Sequence, residues 1–165
     1  MLQWRGRVCW LWLSAVLVGL DAWSKQAAIQ AAQWGRLELS SFLNIDLAFN
    51  RGMAFGWLSE HAGWQIVFLS VVALFAVGVL LFWLFSSERA GHLFQAGIAC
   101  VIGGAMGNAL DRVCHAAVTD FIDMHAFGWH FWTFNVADVA ITVGVILLFL
   151  SSLVESSHRT TDHRL

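Results

Sequence analysis

Proline is missing altogether from these 165 residues, so the residue that most strongly breaks a helix interior interrupts none of the apolar runs. Charge is almost as scarce. Asp, Glu, Lys and Arg make up 12% of the chain, against about 25% in a soluble domain. The acidic and basic residues nearly cancel, with a formal net charge of -2 and a pI near 6.3, which leaves no basic patch for nucleic acid. Cysteine is limited to Cys9, Cys100 and Cys114. These are odd in number, far apart and free of any Cys-x-x-Cys pair, which argues against a zinc ribbon or redox motif. They read as small apolar fillers of helices. The histidines are scattered singly. His115, His125 and His130 share one stretch, but their spacing matches no metal signature, so neither metal nor cofactor is expected. No internal repeat is found.

What fills the space is apolar. Hydrophobic residues form 59% of the chain and the mean hydropathy is +0.68, far above the balance of a water-soluble domain. The expected class is an all-α membrane protein: four transmembrane helices with a small extramembranous β element and an outer loop, which the resemblance given below puts on the periplasmic side. Residues 1–165 are expected to form one integral membrane domain.

In chain order, Arg5 and Arg7 precede an apolar run from Val8 to Leu20. A basic start and a short apolar run also describe a secretory signal peptide. Asp21-Ala22-Trp23-Ser24-Lys25, however, stands where a small-residue cleavage site would begin, and a retained first helix over about 4–27 is preferred. Asp21 and Lys25 are four apart and can pair on one helix face. Leu43, Ile45, Leu47 and Phe49 then alternate with Asn44, Asp46 and Ala48, a period of two that predicts a strand within a β element over about 40–60. Asn50-Arg51-Gly52 is a turn signal, and an apolar tip at 53–58 would suit the membrane interface. Uncharged runs predict a second helix over about 62–85 and a third over about 93–112, separated by a short polar turn at 86–92. The third carries Gly103, Gly104 and Gly107, a small-residue spacing that lets helices approach closely or leaves room for acyl chains. A loop holding Asp120 and Asp123 leads to a fourth helix over about 134–154. The basic residues near both ends favour cytoplasmic termini.

This topology gathers polar residues at one face of the membrane: Asp21 and Lys25, Asn50, Asn108 with Asp111 and Arg112, and Asn135 with Asp138. Ionisable groups at membrane depth are costly and point to function. Asp21 with Lys25, and Asp111 with Arg112, have local partners and are equally readable as ion pairs at helix ends; Asn108 and Asn135 are equally readable as interhelical hydrogen-bond contacts. Asp123 reads as a solvated loop acid. Asp120 and Asp138 have no cation within one helical turn in sequence, so they carry the functional reading. Two close carboxylates share one proton, because the second ionisation is opposed by the first. The ionised partner takes a proton from water and the protonated one donates to an amide carbonyl. Burial beside Phe121, Trp132 and Phe134 would separate the two pKa values. A proton-coupled transporter is the alternative, but it predicts acids at the bilayer midplane and helix repeats. A purely structural membrane subunit leaves Asp120 and Asp138 unexplained.

At these residues the sequence resembles the bacterial lipoprotein signal peptidases, the signal peptidase II family of aspartyl intramembrane proteases. The resemblance rests on five blocks in order: Asp-Ala-Trp-Ser-Lys at 21–25, Asn-Arg-Gly-Met-Ala-Phe-Gly at 50–56, Gly-Gly-Ala-Met-Gly-Asn-Ala-Leu-Asp-Arg at 103–112, Val-Thr-Asp-Phe-Ile-Asp at 118–123 and Phe-Asn-Val-Ala-Asp at 134–138. It implies an aspartyl dyad of Asp120 and Asp138. It also implies that Asn50, Asn108, Arg112 and Asn135 surround the substrate backbone, with Asp21, Lys25, Asp111 and Gly104 in support. The implied substrate is a diacylglyceryl-modified prolipoprotein held among membrane lipids and cut before its lipidated cysteine at the periplasmic face of the inner membrane. A monomer is expected. Ala22 and Met53 depart from the family's usual glutamine and alanine, a difference that touches substrate preference at most.

Overall fold

The computed structural model describes residues 3–52, 63–87, 91–127 and 129–162. The apolar tip expected at 53–58 and much of the polar turn after the second helix therefore lie outside the described residues. Four helices among these are long and apolar enough to cross a membrane. Helix α1 spans Gln3–Ala31, α2 Trp64–Ser86, α3 His92–His115 and α4 Val136–Asp162. At its C-terminal end each runs past the stretch its apolar run indicates, α4 by eight residues, because backbone hydrogen bonding continues into polar sequence once a helix is nucleated; α2 and α4 start two residues later than expected.

The remaining structure is not all-α. Strands β1 (Leu37–Ser40), β2 (Leu43–Asn50), β3 (Val118–Ala126) and β4 (Trp129–Phe134) make one antiparallel sheet in the order β1-β2-β3-β4. The strand expected from alternation is β2. The loop expected between the third and fourth spans is instead the β3–β4 hairpin. Its aromatic residues and Val118, Thr119 and Thr133 favour a pleated surface, but β3 contacts protein on both faces and lacks a clean period of two. A bulge in β2 between Ile45 and Ala48 shifts the register, so that Ala48 opposes Asp120 and Asn50 opposes Val118.

Helix α3 is the axis, packed by α1, α2 and α4. Its glycines explain how. A Cβ on Gly103 would lie 2.9 Å from Leu17 Cβ in α1, and one on Gly97 would lie 2.9 Å from the Gly144 carbonyl oxygen in α4. One on Gly104 would collide with the Ala137 carbonyl oxygen and stand 2.7 Å from Ile141 Cγ1. Neighbouring helices, not acyl chains, fill the space these glycines leave. Away from the sheet, Arg7 reaches the end of α2 and donates to the Phe85 carbonyl oxygen. An apolar cluster of Val77, Leu84, Ile98 and Ile102 joins α2 to α3.

Candidate active site

Where α3 ends, β2 and β3 lie across the bundle and α4 begins. The polar residues singled out from sequence meet at this junction. Lys25 in α1 donates to Asp21 Oδ2 at 2.8 Å, Asn108 Oδ1 at 3.1 Å and Asp111 Oδ2 at 3.3 Å. The lysine and both acids are almost wholly buried, and a buried ammonium is tolerable only with this kind of enclosure. Asp21 also accepts the Ala137 backbone N–H at 2.9 Å, so the first helix supplies a cap for the fourth. Gly107 makes this reach feasible, since a Cβ there would sit 2.6 Å from Asp21 Oδ2.

The start of α4 explains why an acid belongs at position 138. Asn135 precedes the helix and its Oδ1 accepts the Asp138 N–H at 3.0 Å, while Asp138 Oδ2 accepts the Asn135 N–H at 3.2 Å. This reciprocal pattern is a capping box, and it places a carboxylate in the favourable field of a helix N-terminus. The Asn135 Nδ2 amide donates to Asp120 Oδ1 at 2.7 Å and Asn108 Oδ1 at 3.1 Å. Asn108 in turn donates from Nδ2 to Asp138 Oδ1 at 2.8 Å. Because Lys25 and Asn135 both need an acceptor, Asn108 must present its oxygen to them and its NH2 to Asp138. Asn50 completes the set, donating to Asp120 Oδ2 at 3.3 Å and accepting the Gly52 N–H at 3.0 Å.

Asp120 and Asp138 are thus joined through Asn135, with Asn108 and Asn50 beside them. Asp120 is 4% exposed; Asp138 is half-buried. Burial, reinforced by the negative charge of Asp138, pushes the Asp120 carboxyl up from 3.8 to about 6, against the opposing pull of its Asn135 and Asn50 hydrogen bonds and of Lys25. Both acids line a cavity of about 590 Å³ together with Asn50, Asn108, Arg112, Val118 and residues of β4 and α4. Arg112 donates to the Gly52 and Asn108 carbonyl oxygens at 3.2 and 3.4 Å. Among the described residues its Nε is buried without a hydrogen-bond partner, while the side chain as a whole lines the cavity.

Three expectations change. Asp111 does not pair with Arg112: it turns to the far side of α3, where it binds Lys25 and His115 Nδ1 (2.7 Å) and accepts the Thr119 N–H. Asp123 is no solvated bystander. It is buried and accepts from Asn44 Nδ2 at 3.1 Å and Arg36 at 3.0 Å. These partners are 79 and 87 residues upstream, beyond the reach of local spacing. Trp132 is 56% exposed rather than a burying wall, and Phe121, though buried, alternates away from Asp120 on β3. Among the described residues no group of three His, Cys, Asp or Glu side chains is arranged to hold a metal ion.

The fold and this cluster define the class: a multi-pass membrane protein with two linked carboxyl groups in a cavity at one end of its helices. The chain belongs to the signal peptidase II family, whose model, described as "Signal peptidase (SPase) II", matches residues 13–154. It is 42% identical over 151 residues to a lipoprotein signal peptidase of Coxiella burnetii, covering 91% of this chain and 93% of the relative. It is 42% identical over 147 residues to one of Burkholderia multivorans, covering 87% of each. A solved structure described as a bacterial membrane enzyme superposes with a TM-score of 0.78 at 30% identity, over 91% of this chain and 90% of the other. Membership of this family implies a protease.

Proposed function

We propose that this chain is a membrane aspartic endopeptidase that removes signal peptides from diacylglyceryl-modified prolipoproteins, cutting before the lipidated cysteine. The observation that carries this reading is the linked pair of carboxyls, Asp120 buried and Asp138 capping a helix, facing one cavity lined also by Asn50, Asn108 and Arg112.

Asp120 acts as the acid of the pair, because burial and the neighbouring charge oppose its ionisation. Asp138 is the base, with its negative charge met by the Asn108 amide and the start of α4. Water gives a proton to Asp138 as its oxygen bonds to the scissile carbonyl carbon, and Asp120 protonates the carbonyl oxygen. As the C–N bond breaks, Asp138 returns its proton to the departing amine and Asp120 takes one back from the tetrahedral hydroxyl. Asn50, Asn108, Arg112 and Asn135 surround the substrate backbone; Asp21, Lys25 and Asp111 keep Asn108 and the start of α4 in place, and Gly104 lets α4 approach. The working unit in this reading is a monomer, formed as a single integral membrane domain among lipids. The bias of basic residues supports cytoplasmic termini in the inner membrane, with the site near the periplasmic face.

The test is cleavage of a diacylglyceryl-modified prolipoprotein by the purified full chain in detergent. Asp120→Asn and Asp138→Asn each lower kcat by at least about 10²–10⁴-fold while the variants still insert. Full activity in either variant overturns the dyad.

A further inference from the structure

The cavity has a wall that the proton chemistry does not use. Trp132, Thr133 and Phe134 are consecutive in β4, and all three line it. Side chains of a strand alternate between faces, so three consecutive lining residues mean that the cavity follows the strand's edge. β4 is the last strand in the sheet order, with β3 as its neighbour. Trp132 stands opposite Met124, and the two are 56% and 43% exposed. Met124, Ile122 and Asp120 alternate along β3, so this rung shares a face with the acid, about 13 Å away along the strand.

We propose that Trp132 is a specificity-determining residue that holds one apolar side chain of the substrate's extended chain. The proposal rests on the proteolytic reading above. An extended chain advances about 3.3 Å per residue, so the side chain concerned lies about four residues from the bond that is cut. Membrane anchoring explains Trp132 less well than it explains its neighbours. Phe127 and Trp129, 103% and 76% exposed at the hairpin end, suit the interface and do not line the cavity, whereas Trp132 shares it with both acids.

The experiment measures kcat/KM of the full chain in detergent on a diacylglyceryl-modified prolipoprotein. Versions carrying alanine at each of the third, fourth and fifth residues before the cut are compared with it. With the unaltered protein, removing the apolar side chain at one of these positions lowers kcat/KM about tenfold. In Trp132→Ala that ratio falls to within about twofold, Trp132→Phe restores most of it, and Trp129→Ala leaves it as in the unaltered protein. The proposal is overturned if Trp132→Ala keeps the full ratio, or if Trp132→Ala and Trp129→Ala slow all substrates alike, the mark of anchoring. Should Trp132→Ala not fold, Trp132→Leu is read in its place, and an unchanged ratio there overturns the proposal equally. Absence of cleavage by the unaltered protein overturns the protease reading itself, a distinguishable failure.

Discussion

Helices α2 and α3 have 23 and 24 residues, yet they relate to the bilayer in opposite ways. The apolar stretch of α2 has a mean hydropathy of 2.8 and is 17% buried within the protein; that of α3 has 1.5 and is 56% buried. Val67, Phe75 and Phe82 of α2 stand 65%, 73% and 68% exposed. The interior belongs to Gly97, Gly103, Gly104, Gly107, Asn108 and Asp111 of α3. Lipid tails are as apolar as leucine, so hydrophobicity does not draw one span toward another; close backbone approach and polar pairing do. In this chain, greasiness marks the periphery and small or polar residues mark the centre.

Four changes probe that contrast, in falling order of effect. Lys25→Met leaves Asp21 and Asp111 buried without their shared cation, which costs about 3–5 kcal/mol; a thermal unfolding midpoint in detergent equal to that of the unaltered protein would contradict the account of α3 as a polar seam. Gly104→Ala forces α4 away from α3 and costs about 1–3 kcal/mol as overpacking, with loss of cleavage measured alongside. Asp120 comes next, through pH. Its carboxyl is raised from 3.8 to about 6 in the folded protein, so it binds its proton more tightly folded than unfolded. Stability from this group is greatest below about pH 4 and is lost as pH rises to about 6. Asp120→Asn, neutral throughout, is therefore more stable than the unaltered protein above pH 6 by about 1–3 kcal/mol, and the difference closes below pH 4. A constant difference across that range would remove the burial argument. Smallest is Gly78→Ala in α2, where an added Cβ meets nothing within 4 Å; stability changes by less than about 1 kcal/mol. If Gly78→Ala costs as much as Gly104→Ala, the two helices are not opposites after all.

Sequence went furthest where the signal was local. The spans follow from uncharged runs, β2 from its alternation, and the gathering of Asp21, Lys25, Asn108, Asn135 and Asp138 from their place at the ends of those spans, with Asn50 and Asp120 on the segments that join spans at the same face. The hairpin at 118–134 was less legible, because β3 is buried on its Thr119, Phe121, Asp123 face and beside the cavity at Asp120. A strand contacted on both sides loses the polar and apolar alternation that betrays it. Its aromatic and β-branched residues were the available clue. Asp123 could not be read at all from its neighbours, since Asn44 and Arg36 meet it only after the sheet closes. Likewise Asp111, next to Arg112 in sequence, turns away from it, because the α-helix spreads adjacent residues about 100° apart.

The cap that Asp21 provides to Ala137 joins residues 116 apart in the chain. During synthesis α1 enters the membrane first, and its acid waits for nearly the whole remaining protein before that partner exists. Asp138 is made one residue later than Ala137. The two carboxyls therefore meet only when the last helix docks against the three before it. Docking of the last helix is the step that assembles the polar cluster, whatever the earlier helices have already done.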